Sequence, residues 1–217
     1  GEVTNRAVDV FAREKAFVDG VLAEIVERVP DLRVIVEHVT TRAAVEFVRS
    51  KGDNVAATIT PQHLLFNRNA LFDGGLRPHL YCLPVLKKED DRAALLEAIR
   101  DDSGKFFLGT DSAPHPRGGK ESPCGCAGVF SSPTFLESYA IAFEREGIAP
   151  DVFERFACEY GAKFYKLPLN DPSKGTVTLQ RKPQVVPEEL PFGEGEGAPV
   201  VVPLLAGATI PWTASLS

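Results

Sequence analysis

The stretch Phe106-Phe107-Leu108-Gly109-Thr110-Asp111-Ser112-Ala113-Pro114-His115 decides the fold class of this chain. It is an apolar run that ends in an acid, and a histidine follows the acid after a proline. A short apolar run closed by glycine is typical of a buried strand whose last side chain emerges at the sheet edge. In parallel α/β proteins the carboxyl ends of the strands carry the chemistry. We therefore predict that Asp111 and His115 lie in an active site.

The segments on either side of this stretch alternate between strand and helix. Apolar residues at helical spacing predict a helix over 9–29. Further helices are predicted where acidic or small polar residues stand at the first positions, over 41–52, 90–100, 132–145 and 151–160. Apolar β-branched runs predict strands over 32–38 and 55–60, whereas residues 61–88 and 112–130 read as long loops. This order predicts an α/β fold with a parallel sheet. Three strong strands are too few for a closed barrel, so a small open sheet and a piece of a barrel both remain possible.

The last part of the chain has a different composition. Residues 176–179 alternate like a strand, residues 187–199 are rich in Pro, Gly and Glu, and a run of valines follows at 200–202. We predict that residues 171–217 form a C-terminal extension packed on a main unit of residues 1–170.

Composition excludes several classes of protein. The chain has 217 residues and a net charge of -6, which argues against a general nucleic-acid binder. No apolar run approaches the roughly 18 residues that span a membrane, and the first residues lack the apolar core of a signal peptide. The four cysteines are too few for a disulfide scaffold at this length. We expect a cytoplasmic protein with no nucleic-acid or membrane partner.

Two strand ends carry residues that suit a metal-dependent reaction. His38 ends the first apolar strand run and Asp111 ends the third, so both are expected at the same edge of a parallel sheet. Imidazole and carboxylate are zinc ligands, and a carboxylate beside a metal can take a proton from water. His115 lies on a loop over the same edge. Each residue alone also fits a structural role: a hydrogen-bonded histidine, a turn-forming aspartate, or a solvated loop histidine.

Other polar residues are weaker candidates. Cys124 and Cys126 form a C-x-C pair with no second pair to complete a zinc site. Gly125 and Gly128 instead indicate backbone that approaches a ligand, with N–H groups free for an anion. His63 and His79 could support a site or the fold. The cationic and amide side chains that could bind an anion or simply face solvent are Asn67, Arg68, Arg77 and Lys120.

Several linked motifs resemble one family. They are Val36-Glu37-His38-Val39-Thr40-Thr41, Ala57-Thr58-Ile59-Thr60-Pro61-Gln62-His63-Leu64, Asn67-Arg68-Asn69, Arg77-Pro78-His79-Leu80-Tyr81-Cys82-Leu83-Pro84, Gly109 to His115, and Cys124-Gly125-Cys126-Ala127-Gly128. In this order they are similar to dihydroorotase of the homodimeric type found in many bacteria and in fungi, within the amidohydrolase superfamily. The similarity runs from residue 1 to about residue 170.

The resemblance implies a (β/α)8 TIM barrel, of which this chain would supply about strands 6–8 with their helices. It implies zinc-dependent, reversible cyclisation of N-carbamoyl-L-aspartate to L-dihydroorotate in pyrimidine biosynthesis. His38 and Asp111 would each bind zinc, and Asp111 would also shuttle the proton. His115 and the backbone at Ala127 would hold the substrate carboxylate, and the Leu83 backbone would pair with the ring amide.

The same resemblance implies that part of the site is absent from this chain. The family's two Zn²⁺ ions also need a His-x-His pair, a bridging carboxylated lysine and a further histidine, which in the family directly precedes a Gly-Glu-Val like residues 1–3. We therefore predict that the chain is the C-terminal part of a dihydroorotase. It would need the N-terminal half of the barrel, would be inactive alone, and would belong to a homodimer. The alternatives are another cyclic amidohydrolase, such as a hydantoinase or allantoinase, and a non-catalytic barrel fragment that acts as an assembly module.

Overall fold

A three-stranded parallel sheet organises the computed structural model, which describes residues 1–195 and 197–216. Its strands are β1 (Val34–Val36), β2 (Val55–Ile59) and β3 (Phe106–Leu108), in the spatial order β1-β2-β3. Val36 pairs with Ala57, and Ala57 pairs with Phe106. The register brings the carboxyl ends of the three strands to one edge, as the sequence predicted.

Helices follow and precede these strands. The α-helices are α1 (Arg13–Phe17), α2 (Ala23–Arg28), α3 (Arg42–Ser50), α4 (Pro61–Leu65), α5 (Glu89–Arg100), α6 (Arg117–Lys120), α7 (Phe135–Arg145), α8 (Pro150–Glu154) and α9 (Tyr160–Tyr165). Short π-helical segments, Val18–Leu22 and Arg155–Glu159, join α1 to α2 and α8 to α9. Four 3-10 turns lie at Arg68–Leu71, Pro78–Leu80, Ser132–Thr134 and Pro172–Lys174. None of the helices in the described part of the chain has the length and apolarity to cross a membrane.

Local sequence explains where most helices begin and end. Val18, Leu22 and Val26, spaced by four residues, are buried along the first helix. The Thr41 hydroxyl caps α3 by accepting a hydrogen bond from the Ala44 N–H at 3.2 Å. Gly147, with φ of 62°, follows α7 in the left-handed conformation that ends many helices.

Three predictions of local structure were wrong. The segments 61–88 and 112–130 are not entirely loop, because the first contains α4 and two 3-10 turns and the second contains α6, all too short to show a period. The last helix does not stop at Gly161 but continues to Tyr165. A Cβ at Gly161 would lie 3.3 Å from the Phe107 ring, so this glycine serves close packing of the helix on the sheet. The helix ends instead at Lys166, which has φ of 57°.

The main core lies between the sheet and the helices that follow it. Val45, Ile59, Leu95, Tyr139 and Phe156 are all at most 1% exposed and belong to one apolar cluster. The Tyr139 hydroxyl donates a hydrogen bond to the Ile59 carbonyl at 2.6 Å. This bond ties α7 to the last residue of β2, directly below the sheet edge that carries the candidate site.

The tail folds back as three short antiparallel pairs. They join β4 (Val177–Gln180) to β9 (Thr213–Leu216), β5 (Gln184–Val185) to β8 (Thr209–Ile210), and β6 (Leu190–Pro191) to β7 (Val200–Val201). Trp212 Nε1 donates to Glu144 Oε2 at 3.1 Å, so the tail contacts α7. The strand predicted over 176–179 is confirmed, whereas β6 and β7 were not predicted. Glu196, in the segment 187–199 that is rich in Pro, Gly and Glu, and the terminal Ser217 lie outside the described residues. The division at residue 170 stays a prediction.

Candidate active site at the sheet edge

His38 follows β1 and Asp111 follows β3, the two strands on either side of β2, and both residues have the same unusual backbone conformation. Their φ angles are 45° and 43°, in the left-handed region that side chains other than glycine seldom adopt. Such conformations cost about 1–3 kcal/mol each and occur often at functional sites. Thr58 of β2 supports the first of them: its Oγ1 accepts from the His38 N–H at 2.7 Å, and its carbonyl accepts from the Val39 N–H at 3.0 Å.

His38 lies near enough to Asp111 to act on the charge of its carboxyl. His38 Nδ1 is buried and has no hydrogen-bond partner within the described residues. Asp111 is exposed, yet partial burial by the protein around it raises the pKa of its carboxyl. The nearby His38 acts to lower this pKa and Glu37 to raise it. The structure thus brings together the two residues predicted as metal ligands, and it leaves one imidazole nitrogen available to a ligand.

Gly109 allows the two strand ends to approach each other. A Cβ at this position would lie 2.5 Å from Thr58 Cβ, far inside van der Waals contact. The Thr58 hydroxyl also donates to Glu37 Oε2 at 2.6 Å, so Thr58 connects β1, β2 and the segment that leads to Asp111. The sequence motif Gly109-Thr110-Asp111 therefore has a steric reason for its glycine.

We predict that Gly109→Ala destabilises the protein by about 1–3 kcal/mol, the usual cost of overpacking a tight contact. The expected result is a lower denaturant midpoint in an equilibrium unfolding experiment, with an unchanged slope. Gly20→Ala is the matched control, because a Cβ at Gly20 meets nothing within 4 Å. Equal stability of the two variants would contradict the steric argument.

His115 and Ala127, both predicted as carboxylate binders, lie in direct contact. His115 Nε2 is 3.1 Å from the Ala127 carbonyl oxygen. The Ala113 N–H donates to the Val129 carbonyl at 2.9 Å, so the two loops run side by side. A Cβ at Gly128 would lie 2.5 Å from the Ala113 carbonyl oxygen, which explains the glycine there.

Lys120 has a different place from the one expected. The sequence suggested an anion ligand or a solvated side chain, but Lys120 is 3% exposed. Its Nζ donates to the carbonyls of Tyr81, Cys126 and Gly128 at 2.9, 2.7 and 2.7 Å. Burial lowers the pKa of this amine. Lys120 thus joins the loop that carries Ala127 to the segment that precedes Leu83.

His63 fixes the segment that carries Leu83 from the other side. The imidazole is buried, with Nδ1 2.6 Å from Thr60 Oγ1 and Nε2 3.0 Å from the Pro84 carbonyl oxygen. Nε2 therefore donates to Pro84, and Nδ1 accepts from the Thr60 hydroxyl. Burial lowers the pKa of His63 to about 3. Leu83 itself is exposed, and its backbone is held beside the site by these contacts.

The low pKa of His63 predicts a pH dependence of stability. An unfolded histidine has a pKa near 6.5, so the folded state opposes protonation between pH 6.5 and about 3. Its stabilising effect is complete above pH 6.5 and is lost as the pH falls, by up to about 1.4 kcal/mol per pH unit. Measured against His63→Gln from pH 7.5 to 5, wild type should lose stability faster below pH 6.5. Parallel curves would contradict this prediction.

A glutamate missed by sequence reasoning holds the backbone that follows His38 in the sequence. Glu14 was assigned to the solvent face of the first helix, which is wrong because it is 1% exposed. Its carboxylate accepts hydrogen bonds from the backbone N–H groups and hydroxyls of Thr40 and Thr41, at 2.6–3.0 Å. The sequence did contain an indication that Glu14 is buried. It precedes the buried Val18 by four residues, the same spacing that separates Val18 from Leu22.

The remaining polar candidates make local contacts. His79 Nε2 is 2.9 Å from Glu121 Oε1, Asn67 Nδ2 donates to Glu89 Oε2 at 2.7 Å, the Arg68 guanidinium lies 5.2 Å from the Phe11 ring centroid, and Arg77 Nη1 donates to the Asp73 carbonyl at 3.4 Å. Each contact supports the loops around the sheet edge. The cysteines are free thiols.

The part of the chain that the structure describes does not complete a metal centre. Within residues 1–195 and 197–216, no group of three or more His, Cys, Asp and Glu side chains could hold a metal ion. A cleft of about 600 Å³, lined by Phe66, Phe72, Arg92 and Arg145 among others, does not include His38 or Asp111. The candidate site at the sheet edge is therefore separate from this cleft.

Comparisons with known proteins identify the relatives of this chain. The sequence profile of the amidohydrolase family matches residues 4–183. Dihydroorotase of Laribacter hongkongensis is 55% identical over 212 residues, which are 98% of this chain and 59% of that protein. The chain thus spans about three fifths of the length of this relative. The resemblance inferred from the sequence motifs is confirmed.

Solved structures agree with this result. Dihydroorotase from Saccharomyces cerevisiae, determined with 5-fluoroorotic acid, matches with a TM-score of 0.84 at 28% identity, over 100% of this chain and 61% of that chain. L-hydantoinase from Arthrobacter aurescens matches with a TM-score of 0.68 at 19% identity, over 89% of this chain and 46% of that chain, which shows a shared fold alone. The fold prediction, a portion of an α/β amidohydrolase barrel, is confirmed, and the dihydroorotase likeness is greater than the hydantoinase likeness.

Proposed function

The chain belongs to the amidohydrolase family, and on this premise we propose that it is the C-terminal part of a dihydroorotase. The proposed reaction is the reversible cyclisation of N-carbamoyl-L-aspartate to L-dihydroorotate in pyrimidine biosynthesis. The observation that carries the proposal is the site geometry within a chain 55% identical to a dihydroorotase. A buried His38 nitrogen, which has no hydrogen-bond partner among the residues described, lies at the same strand edge as Asp111.

The residues present fit one side of a metal centre. His38 offers an imidazole nitrogen and Asp111 a carboxylate, and both are zinc ligands. Two protein ligands are fewer than the three or four that a zinc site normally has, so the other ligands would come from outside this chain. We propose two Zn²⁺ ions per complete site, bridged by a carboxylated lysine of the N-terminal half of the barrel. When bound, zinc would polarise the amide carbonyl and make water more acidic.

Asp111 is proposed as the group that moves the proton. During hydrolysis it takes a proton from the attacking water and gives it to the ring nitrogen as the amide C–N bond breaks. During ring closure it takes the proton from the ureido nitrogen as that nitrogen bonds to the carbon of the protonated side-chain carboxyl. It then gives the proton to the hydroxyl oxygen, which leaves as water when its C–O bond breaks. General acid–base catalysis of this kind contributes about 10²–10⁴-fold.

Three further residues are proposed to bind the small-molecule substrate. His115 and the Ala127 backbone, which lie in contact, would hold the carboxylate. The Leu83 backbone would pair with the amide edge of the ring, because His63 and Lys120 fix the segment around it. A substrate with an exocyclic carboxylate suits this arrangement better than the uncharged ring of a simple hydantoin. The complete enzyme is proposed to be a homodimer.

A substrate panel tests the proposed function. The complete polypeptide that contains this chain, loaded with zinc, should hydrolyse L-dihydroorotate and leave hydantoin and allantoin unchanged. Preferential turnover of hydantoin or allantoin would reject dihydroorotase in favour of another cyclic amidohydrolase. Turnover of none of the three would favour a non-catalytic assembly module.

A further inference from the structure

Lys120 occupies the point where the two proposed substrate-binding loops meet. Its single ammonium donates to three carbonyls from two separate loops, those of Tyr81, Cys126 and Gly128. The Gly128 N–H also donates to the Tyr81 carbonyl at 2.9 Å. All three protons of the ammonium are therefore used, and the junction between the loops depends on this side chain.

The geometry of the peptide bond determines which way the Ala127 N–H points at this junction. In a trans peptide the C=O and the N–H of the same unit point in opposite directions. Because the Cys126 carbonyl points at Lys120, the Ala127 N–H must point away from Lys120. Likewise, the Ala127 carbonyl points to His115, and the Gly128 N–H points the opposite way, to Tyr81. The Ala127 N–H is therefore directed away from Lys120, whose hydrogen bonds hold the loop.

The charge of Lys120 is not balanced by an acid. Within the described residues Lys120 forms no ion pair, and its neighbours are carbonyl oxygens, the Tyr81 ring at 5.7 Å, and the thiols of Cys82 and Cys126. A buried cation without a counter-ion is costly, and an anion bound nearby reduces that cost. The buried ammonium of Lys120 therefore favours an anionic ligand on the far side of the Cys126–Gly128 backbone.

We propose that Lys120 is a positioning residue for recognition of the substrate carboxylate. It does not touch the substrate; it holds the Ala127 N–H toward the carboxylate and keeps the Leu83 segment at the right distance from it. The inference rests on the proposed function, since it assigns the anion to the carboxylate of dihydroorotate.

The test compares Lys120→Met with wild type in the complete, zinc-loaded polypeptide. Methionine keeps an unbranched apolar side chain but removes the three donors and the charge. The KM for dihydroorotate and the inhibition constant of orotate are both expected to rise about tenfold or more, because the Ala127 N–H would no longer be held toward the carboxylate. The kcat at saturating substrate should fall less than threefold, and zinc content should stay at the wild-type value.

Two further variants make the outcome decisive. Lys174→Met, at an exposed lysine of the tail, is the matched control and should leave both constants unchanged. If Lys120→Met does not fold, Lys120→Arg carries the test, because a planar guanidinium cannot direct one nitrogen at three carbonyls and should also raise KM.

The two proposals fail in different ways. Absence of dihydroorotate turnover by the wild-type polypeptide would reject the proposed function. Wild-type turnover, together with a Lys120 variant whose KM and orotate inhibition stay within twofold of wild type, would overturn only the role of Lys120. A fall in kcat or zinc content at unchanged KM would overturn it as well, because that result indicates general damage to the fold.

Discussion

Asp111→Asn is expected to lower the kcat for dihydroorotate hydrolysis about a thousandfold in the complete polypeptide. Asparagine has the shape of aspartate but cannot accept the proton of the attacking water, and loss of general acid–base catalysis costs about 10²–10⁴-fold. The substitution should leave the backbone in place, because Asp111 has φ of 43° and asparagine tolerates this region well. Steady-state hydrolysis assays of wild type and Asp111→Asn measure the change in kcat. Unfolding curves of the two proteins show whether stability has changed.

The control for this variant is Asp31→Asn, at an exposed aspartate that precedes β1. It removes the same charge from the protein and should leave kcat unchanged. Activity of Asp111→Asn within tenfold of wild type would contradict the proton-transfer role. A large loss of stability in that variant would show instead that the carboxylate serves the fold.

His38→Asn is expected to remove one of the two proposed zinc ions and to reduce turnover below detection. His38 Nδ1 is buried without a partner in the described part of the chain, which suits a nitrogen reserved for a ligand. Asparagine accepts φ of 45°, so the hydrogen bond from the residue 38 N–H to Thr58 should persist. Elemental analysis of the purified variant should show about one zinc fewer per site than wild type, as expected for the loss of one of its three or four protein ligands.

His79→Asn is the matched control, because His79 is paired with Glu121 in a loop contact. Its zinc content should equal that of wild type. If His38→Asn retains full zinc and loses stability alone, His38 is a structural residue and not a ligand.

The sequence was sufficient for the parts of the fold that have a strong local signal. The apolar run before Asp111 and the β-branched run before His38 both become parallel strands, because buried strands need continuous apolar residues. The helix over Glu89–Arg100 shows apolar periodicity and an acidic first turn, so its bounds were nearly correct. Five-residue α4 has too few residues for a period to appear.

The contacts that position the site were less predictable, because they join residues that are distant along the chain. Lys120 reaches Tyr81 across 39 positions, and Glu14 reaches Thr40 across 26. A buried lysine or glutamate is rare, so a polar residue in sequence is normally expected to face solvent. Only the four-residue spacing of Glu14 with Val18 could have indicated burial; nothing in the local sequence distinguishes Lys120 from a solvated lysine.

Zinc content and dihydroorotate turnover, measured on residues 1–217 alone and after co-expression with the N-terminal part of the polypeptide, test the central claim most directly. The claim is that this chain supplies one wall of a shared dihydroorotase site. We expect the chain alone to bind no stoichiometric zinc and to show no turnover, and the two parts together to regain both. Wild-type turnover by the isolated chain would contradict the claim, as would a zinc-loaded reconstituted protein that leaves dihydroorotate unchanged.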